Sequence, residues 1–150
     1  MVESTRRSGG VVVFTNGVFD ILHRGHVTYL EDARRRGDLL IVGINSDDSV
    51  RRLKGSERPI NRLQDRALIL AALRAVDYVV PFSEDTPLKL IEALTPSVLV
   101  KGGDYHATEV VGASWVVDHG GQVYISKTVT GFSTTEIVNA LKSGGTPPDA

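Results

Sequence analysis

Two histidines three positions apart, His23 and His26, with Gly25 between them, are the residues of this chain best suited to chemistry. They follow Gly17 and the run Val18-Phe19-Asp20-Ile21-Leu22, and a helical pattern begins at about Arg24. Side chains three apart share one side of a helix start. That start also offers unpaired backbone N–H groups and a partial positive charge, and a glycine there lets an anion approach the main chain. An imidazole pair on such a platform suits holding a phosphate group, with catalysis by positioning and by stabilising the charge on its oxygens. The spacing matches neither G-x-G-x-x-G nor G-x-x-x-x-G-K-[ST]. Zinc is the rival reading of H-x-x-H. It wants about three protein ligands, whereas the chain has no cysteine and only His106 and His119 remain among its histidines.

The elements that must position these residues follow from periodicity. Apolar runs at 11–14, 39–44, 78–80, 98–100 and 123–125 read as strands, the second as a buried parallel one. Between them lie helical stripes. Val27, Leu30 and Ala33 form the first, ending in Arg34 to Arg36, a solvated helix end. Val50 and Leu53 form a short second. Leu63, Ala67, Leu70 and Leu73 follow Asn61 and Gln64, a capping-box pair. Leu88, Ile91 and Leu94 follow Thr86-Pro87, with Pro at the first helical position. Val110, Val111 and Val117 predict a helix ended by Gly120-Gly121, with Trp115 as packing. Ser133 to Glu136 is an S-x-x-E capping box ahead of Ile137, Val138 and Leu141.

Strands alternating with helices predict an α/β chain. The expected fold is a Rossmann-like, doubly wound, five-stranded parallel sheet with helices on both faces. Ligands then sit beyond the C-terminal strand ends, where residues 16–26, 45–47, 101–105 and 128–135 all fall. The expected organisation is a flexible N-terminal segment (1–10), one domain (11–142) and a flexible Gly/Pro-rich C-terminal tail (143–150).

With 150 residues the chain can build one real core. Seventeen basic against eighteen acidic residues leave a net charge of −1, so no global field draws in nucleic acid. No apolar run approaches membrane-spanning length, and the first ten residues do not read as a signal peptide. The absence of cysteine excludes a disulfide scaffold and a thiolate nucleophile and fits a cytoplasmic protein.

Residues 17–26 contain, complete, the G-x-F-D-x-x-H-x-G-H signature of the cytidylyltransferase-like nucleotidyltransferases, which they resemble. The resemblance continues through Gly43-Ile44-Asn45-Ser46-Asp47, Lys101-Gly102-Gly103-Asp104-Tyr105 and Gly131-Phe132-Ser133-Thr134-Thr135, and so covers about 11–142. Within the family the likeness is to the adenylyltransferases that make ADP-heptose from a heptose 1-phosphate and ATP, and Lys101 to Tyr105 is its most distinctive part. That activity is fused to a sugar kinase in many bacteria; this chain resembles a stand-alone form.

The resemblance implies catalytic roles for His23, His26 and Lys54. It implies nucleotide contacts from Thr15, Asn16, Gly17, Val18, Phe19, Gly25, Lys101, Gly102, Thr130, Ser133 and Thr134 besides the two histidines. Asp20, Asn45, Arg58, Gly103 and Asp104 would bind the second substrate. The residues alone leave alternatives open: an Asx-turn or cap for Asp20, capping for Ser133, an ordinary polar loop for Lys54 and Arg58. Arg66 matches a family arginine, with a surface i,i+4 pairing as the other reading. Mg²⁺ would be bound mainly through substrate phosphates. A homodimer is expected. Related cytidylyltransferases carry Arg-Thr where this chain has Thr128-Val129, with Lys127 one place earlier as a replacement charge. CTP with a glycerol-phosphate-like alcohol, or a nucleotide-binding regulatory module without turnover, are the alternative functions.

Overall fold

The computed structural model of the chain describes residues 1–127 and 133–144. Five strands, β1 (Val12–Gly17), β2 (Leu39–Asn45), β3 (Tyr78–Phe82), β4 (Val98–Gly102) and β5 (Gln122–Ser126), form one sheet in the order β3-β2-β1-β4-β5. Every pairing is parallel; Phe14, for example, lies opposite Ile41 on one side and Leu99 on the other. The expected doubly wound sheet is therefore present. Strand order reverses between β1 and β4, and such a reversal opens a crevice beyond the strand ends. Pro81 sits on β3, an edge strand, where its missing N–H costs no ladder bond.

The helices are α1 (Val2–Arg7), α2 (Arg24–Arg34), α3 (Asp47–Lys54), α4 (Leu63–Ala71), α5 (Leu88–Leu94), α6 (Ala113–Asp118) and α7 (Thr134–Lys142). Alternate strand residues feed two cores, one on each face. Val13, Leu40, Val42, Ile44, Val98 and Val100 pack with Leu30 and Ala33 of α2 and Leu70 of α4. Val12, Phe14, Ile41 and Leu99 pack with Ile91 of α5 and Ala113 and Val116 of α6. Each large side chain so buried contributes about 1.5–3 kcal/mol, which holds β1 rigidly in the middle of the sheet.

Several local expectations are corrected. The first residues, read as a flexible lead-in, are helical over Val2–Arg7, and Arg6 donates to the carbonyls of Leu94 and Thr95. The Asn61–Gln64 capping box does not form: Arg62 is the N-cap of α4, without a side-chain cap. Asn61 is instead drawn to Asp20, donating its backbone N–H to the carboxylate at 2.8 Å and its side-chain amide to the main-chain carbonyl at 2.7 Å. The helix expected from Val110 through Val117 is split into a 3-10 turn, Ala107–Glu109, and α6. Gly112 between them is left-handed at φ 83, where a Cβ would meet Ile91 at 2.7 Å. Ser133 does cap α7, accepting from the Glu136 N–H at 3.1 Å. No residue of α7 is buried. Thr134 Oγ1 donates to the Ile21 carbonyl at 3.2 Å, and Lys142 pairs with Glu57 at 3.3 Å.

Candidate active site

β1 runs to Gly17, further than its apolar core predicts, and delivers Asn16 and Gly17 to the crevice. The chain then turns sharply. Phe19 has φ 48, a costly left-handed conformation for a large residue, held by the burial of its ring in the core. A Cβ on Gly17 would meet that ring at 2.9 Å, so this turn requires glycine here. His23, extended at φ −138, is the N-cap of α2. Its ring stacks on that of His26 with centroids 3.8 Å apart, and Phe19 meets His26 edge-on at 5.3 Å.

The His23 N–H donates to Nδ1 of His26 at 3.4 Å, which puts the neutral ring's proton on Nε2. Burial, then the neighbouring His23, lowers the pKa of His26 to about 4. Burial lowers that of His23 too, against an opposing pull from Glu136. Both rings are thus neutral hydrogen-bond donors at neutral pH. Because the unfolded chain holds these protons more tightly, stability is complete above about pH 6.5 and falls as pH drops towards 4. Urea midpoints are expected to decline over that window in the wild type and more shallowly in His26→Gln; equal declines would remove His26 as the cause.

A cavity of about 590 Å³ opens over α2's first turn. Asn16, Gly17, Val18, Phe19, His23, Gly25 and His26 line one side, Lys101, Gly102, Ser133 and Thr134 the other. Lys54, Arg58, Arg35 and Lys127 add cations to the wall. Its two carboxylates, Asp20 and Asp32, are both bonded to protein donors, so the bowl is positive on balance and suits a polyphosphate. A second cavity, about 400 Å³, lies across the end of β1. It shares Asn16, Gly17, Val18 and Lys101 with the first and adds Asn45, Asp85, Thr86, Tyr105 and Glu109.

The structure gathers most of the expected residues but reassigns several. Thr15, expected at the nucleotide, is fully buried and bonded to Tyr29 and the Val100 carbonyl beneath the sheet end. Asp20, expected at the sugar, is neither an Asx-turn nor a helix cap. It accepts Nε of Arg58 at 2.6 Å and the N–H groups of Ile60 and Asn61 at 2.9 and 2.8 Å. Burial works to raise its pKa, but these bonds and the Arg58 charge outweigh it and hold the carboxyl below the usual range. Asp20 therefore ties residues 58–61, the far half of the polar loop that starts at Lys54, to the motif turn. Arg58, expected at the substrate, spends Nε on that tie while lining the cavity. Lys54, the expected catalytic lysine, is exposed at the rim. Asn45 is buried, donates to Ser49 at 3.0 Å and faces only the second cavity. Gly103 and Asp104 line neither cavity: at φ 113 Gly103 turns the chain away after β4, and Asp104 is exposed. Thr130 lies outside the described residues.

Sequence reasoning missed two groups, Tyr29 with Asp32, and Arg35. Tyr29 and Asp32 continue the face of α2 that carries His26, at steps of three, and that period was the available signal. Arg35, read as part of a solvated helix end, reaches the cavity wall. Arg66, read as family arginine or surface partner, is buried and donates to three elements: the Asn61 carbonyl at 3.0 Å, the Val18 carbonyl at 2.7 Å and Asp47 at 2.7 Å. Among the described residues no group of three His, Cys, Asp or Glu could hold a metal ion, and no helix is long and apolar enough to cross a membrane.

Comparison with known proteins gives the family. A family model described as cytidylyltransferase-like matches residues 14–140. The bifunctional protein HldE of Sodalis glossinidius is 56% identical over 141 residues, 94% of this chain but 29% of that protein. The corresponding protein of Syntrophotalea carbinolica is 57% identical over the same length and again 29% covered. The chain thus spans less than a third of these relatives. The lipopolysaccharide core biosynthesis protein from Thermoplasma volcanium superimposes with a TM-score of 0.65 at 29% identity, over 81% of this chain and 98% of that one. Pantoate-beta-alanine ligase from Francisella tularensis, at 18% identity and a TM-score of 0.57 over 94% and 74% of the two chains, shares the fold. With the imidazole pair at the first crossover and the match over 14–140, the chain belongs to the cytidylyltransferase-like family of nucleotidyltransferases.

Proposed function

We propose that this chain is an adenylyltransferase that joins ATP to D-glycero-β-D-manno-heptose 1-phosphate, giving ADP-heptose and pyrophosphate for lipopolysaccharide core synthesis. The observation that carries the reading is the pair of cavities divided by the end of β1, one positive and headed by two neutral imidazoles, the other setting Asn45, Thr86 and Glu109 among apolar residues such as Leu53, Pro87 and Val110. The first suits a nucleoside triphosphate, the second a polyol phosphate. The Lys101 to Tyr105 resemblance, the similarity to HldE and the likeness to a lipopolysaccharide core biosynthesis protein favour the heptose.

In this reading an oxygen of the sugar phosphate attacks the α-phosphorus in line. The bond from that phosphorus to the bridging oxygen breaks, and its electron pair leaves with pyrophosphate. His26 Nε2–H and the first turn of α2 donate to the oxygens on which charge builds. Lys54 and Arg58 stand where a departing pyrophosphate would be neutralised. Mg²⁺, which keeps its waters and binds substrate phosphates, needs no carboxylate cluster; when bound it would neutralise triphosphate charge.

Pyrophosphate release measured with ATP and then CTP, each with heptose 1-phosphate and with glycerol 3-phosphate, tests the proposal. ATP with the heptose is expected to turn over fastest. Faster turnover of CTP with glycerol 3-phosphate would replace it by a cytidylyltransferase, and binding without release in any combination by a regulatory module.

A further inference from the structure

We propose that Lys101 is a catalytic residue of this site, meeting the acceptor's phosphate at the wall between the two cavities and bearing part of the charge on the transferred phosphoryl group. The inference rests on the nucleotidyl-transfer reading and assigns Lys101 to the acceptor and the reacting centre, beyond the nucleotide contact expected from the sequence.

Position comes first. Lys101 lies near the C-terminal end of β4, beside the strand-order reversal. Of the four residues that line both cavities, Asn16, Gly17 and Val18 are uncharged, so Lys101 is the charge of the shared wall. Among the described residues it is also the only cation lining the second cavity, whose acids are Asp85, bonded to Arg52 at 2.7 Å, and Glu109. A phosphate entering there with its hydroxyls towards Asn45 and Glu109 meets one positive group, and that group faces the imidazole cavity.

Lys101 is also uncompensated. Arg58 and Arg66, the half-buried and buried arginines around the site, each hold a carboxylate. No carboxylate among the described residues pairs with Lys101, whose Nζ lies 5.9 Å from the centroid of the Tyr105 ring. Burial lowers its pKa below the ordinary lysine value, the cost of an ammonium held away from water without a counter-charge. An incoming phosphate removes that cost. In the step itself the acceptor oxygen forms its bond to the α-phosphorus as the bond to the leaving pyrophosphate breaks. No proton moves, and Lys101 contacts the non-bridging oxygens on both sides of the forming bond.

The test separates acceptor from nucleotide. Inorganic phosphate is titrated, by ³¹P NMR, into protein saturated with α,β-methylene ATP, for the wild type, Lys101→Met and Lys101→Arg. Phosphate affinity is expected to fall about 10- to 100-fold in Lys101→Met and to be largely kept in Lys101→Arg, with a clearly smaller loss of analogue affinity in Lys101→Met and a melting temperature close to wild type. Phosphate binding that is absent from the wild type, or equal in Lys101→Met, overturns the proposal. So does a loss confined to the nucleotide analogue. If phosphate binding depends on Lys101 while the wild type releases no pyrophosphate with any pair of substrates, the phosphate contact stands and the nucleotidyl-transfer reading falls instead.

Discussion

His26→Ala is expected to lower kcat about 10²–10³-fold, the usual effect of removing one preorganised donor from a developing oxyanion, with a smaller change in nucleotide affinity. His26 is constrained from both ends: its Nδ1 accepts from the His23 backbone, and its ring is packed between His23 and Phe19. Only Nε2–H is left for a ligand, and it needs no reorganisation as charge builds. Because the ring is neutral with a pKa of about 4, the loss should be nearly the same at pH 6.5 and pH 8. The measurement is pyrophosphate release under saturating substrates, with α,β-methylene ATP binding as the check on folding. Turnover within about fivefold of wild type would remove His26 from the chemistry.

Arg66→Met is expected to cost roughly 3–5 kcal/mol of stability, the range for stripping one partner from a buried ion pair. The guanidinium is wholly buried while Asp47 is partly open to water, so the lower end applies. Three donors reach three segments: the motif turn at Val18, the start of α3 at Asp47 and the approach to α4 at Asn61. A lysine cannot reproduce that fork, so Arg66→Lys should be nearly as damaging. Urea denaturation measures both. A loss under about 1 kcal/mol for either would mean that neighbouring bonds hold these segments without it.

Much of the architecture was legible because it depends on local pattern. All five strands lie where apolar runs predicted them, and α2 begins at Arg24 as the motif required. The roles that went astray depend on partners far along the chain. Asp20 meets Arg58 across 38 positions and Arg66 meets Val18 across 48, and nothing in the spacing of either residue announces this. Thr15 is a similar case. Strand alternation puts it on the face of Val13, which packs against α2, and what withdraws it from the nucleotide is its hydroxyl's bonds to Tyr29 and the Val100 carbonyl, which the period of two does not announce. The break at Gly112 was hidden because Val110, Val111 and Val117 fit a helical stripe on either side of it.

The first cavity is bounded by walls of unequal stiffness. Its floor is the end of a central strand clamped by ladders on both sides, and separating that strand would cost nearly the whole free energy of folding. Among the described residues, the helix that begins after Ser133 buries no residue of its own; Thr134 bonds the Ile21 carbonyl at one end and Lys142 pairs with Glu57 at the other. Local opening there is correspondingly cheap. Under the proposed reaction, a bulky triphosphate would be admitted, and its products let go, by yielding along that margin while the imidazoles keep their register.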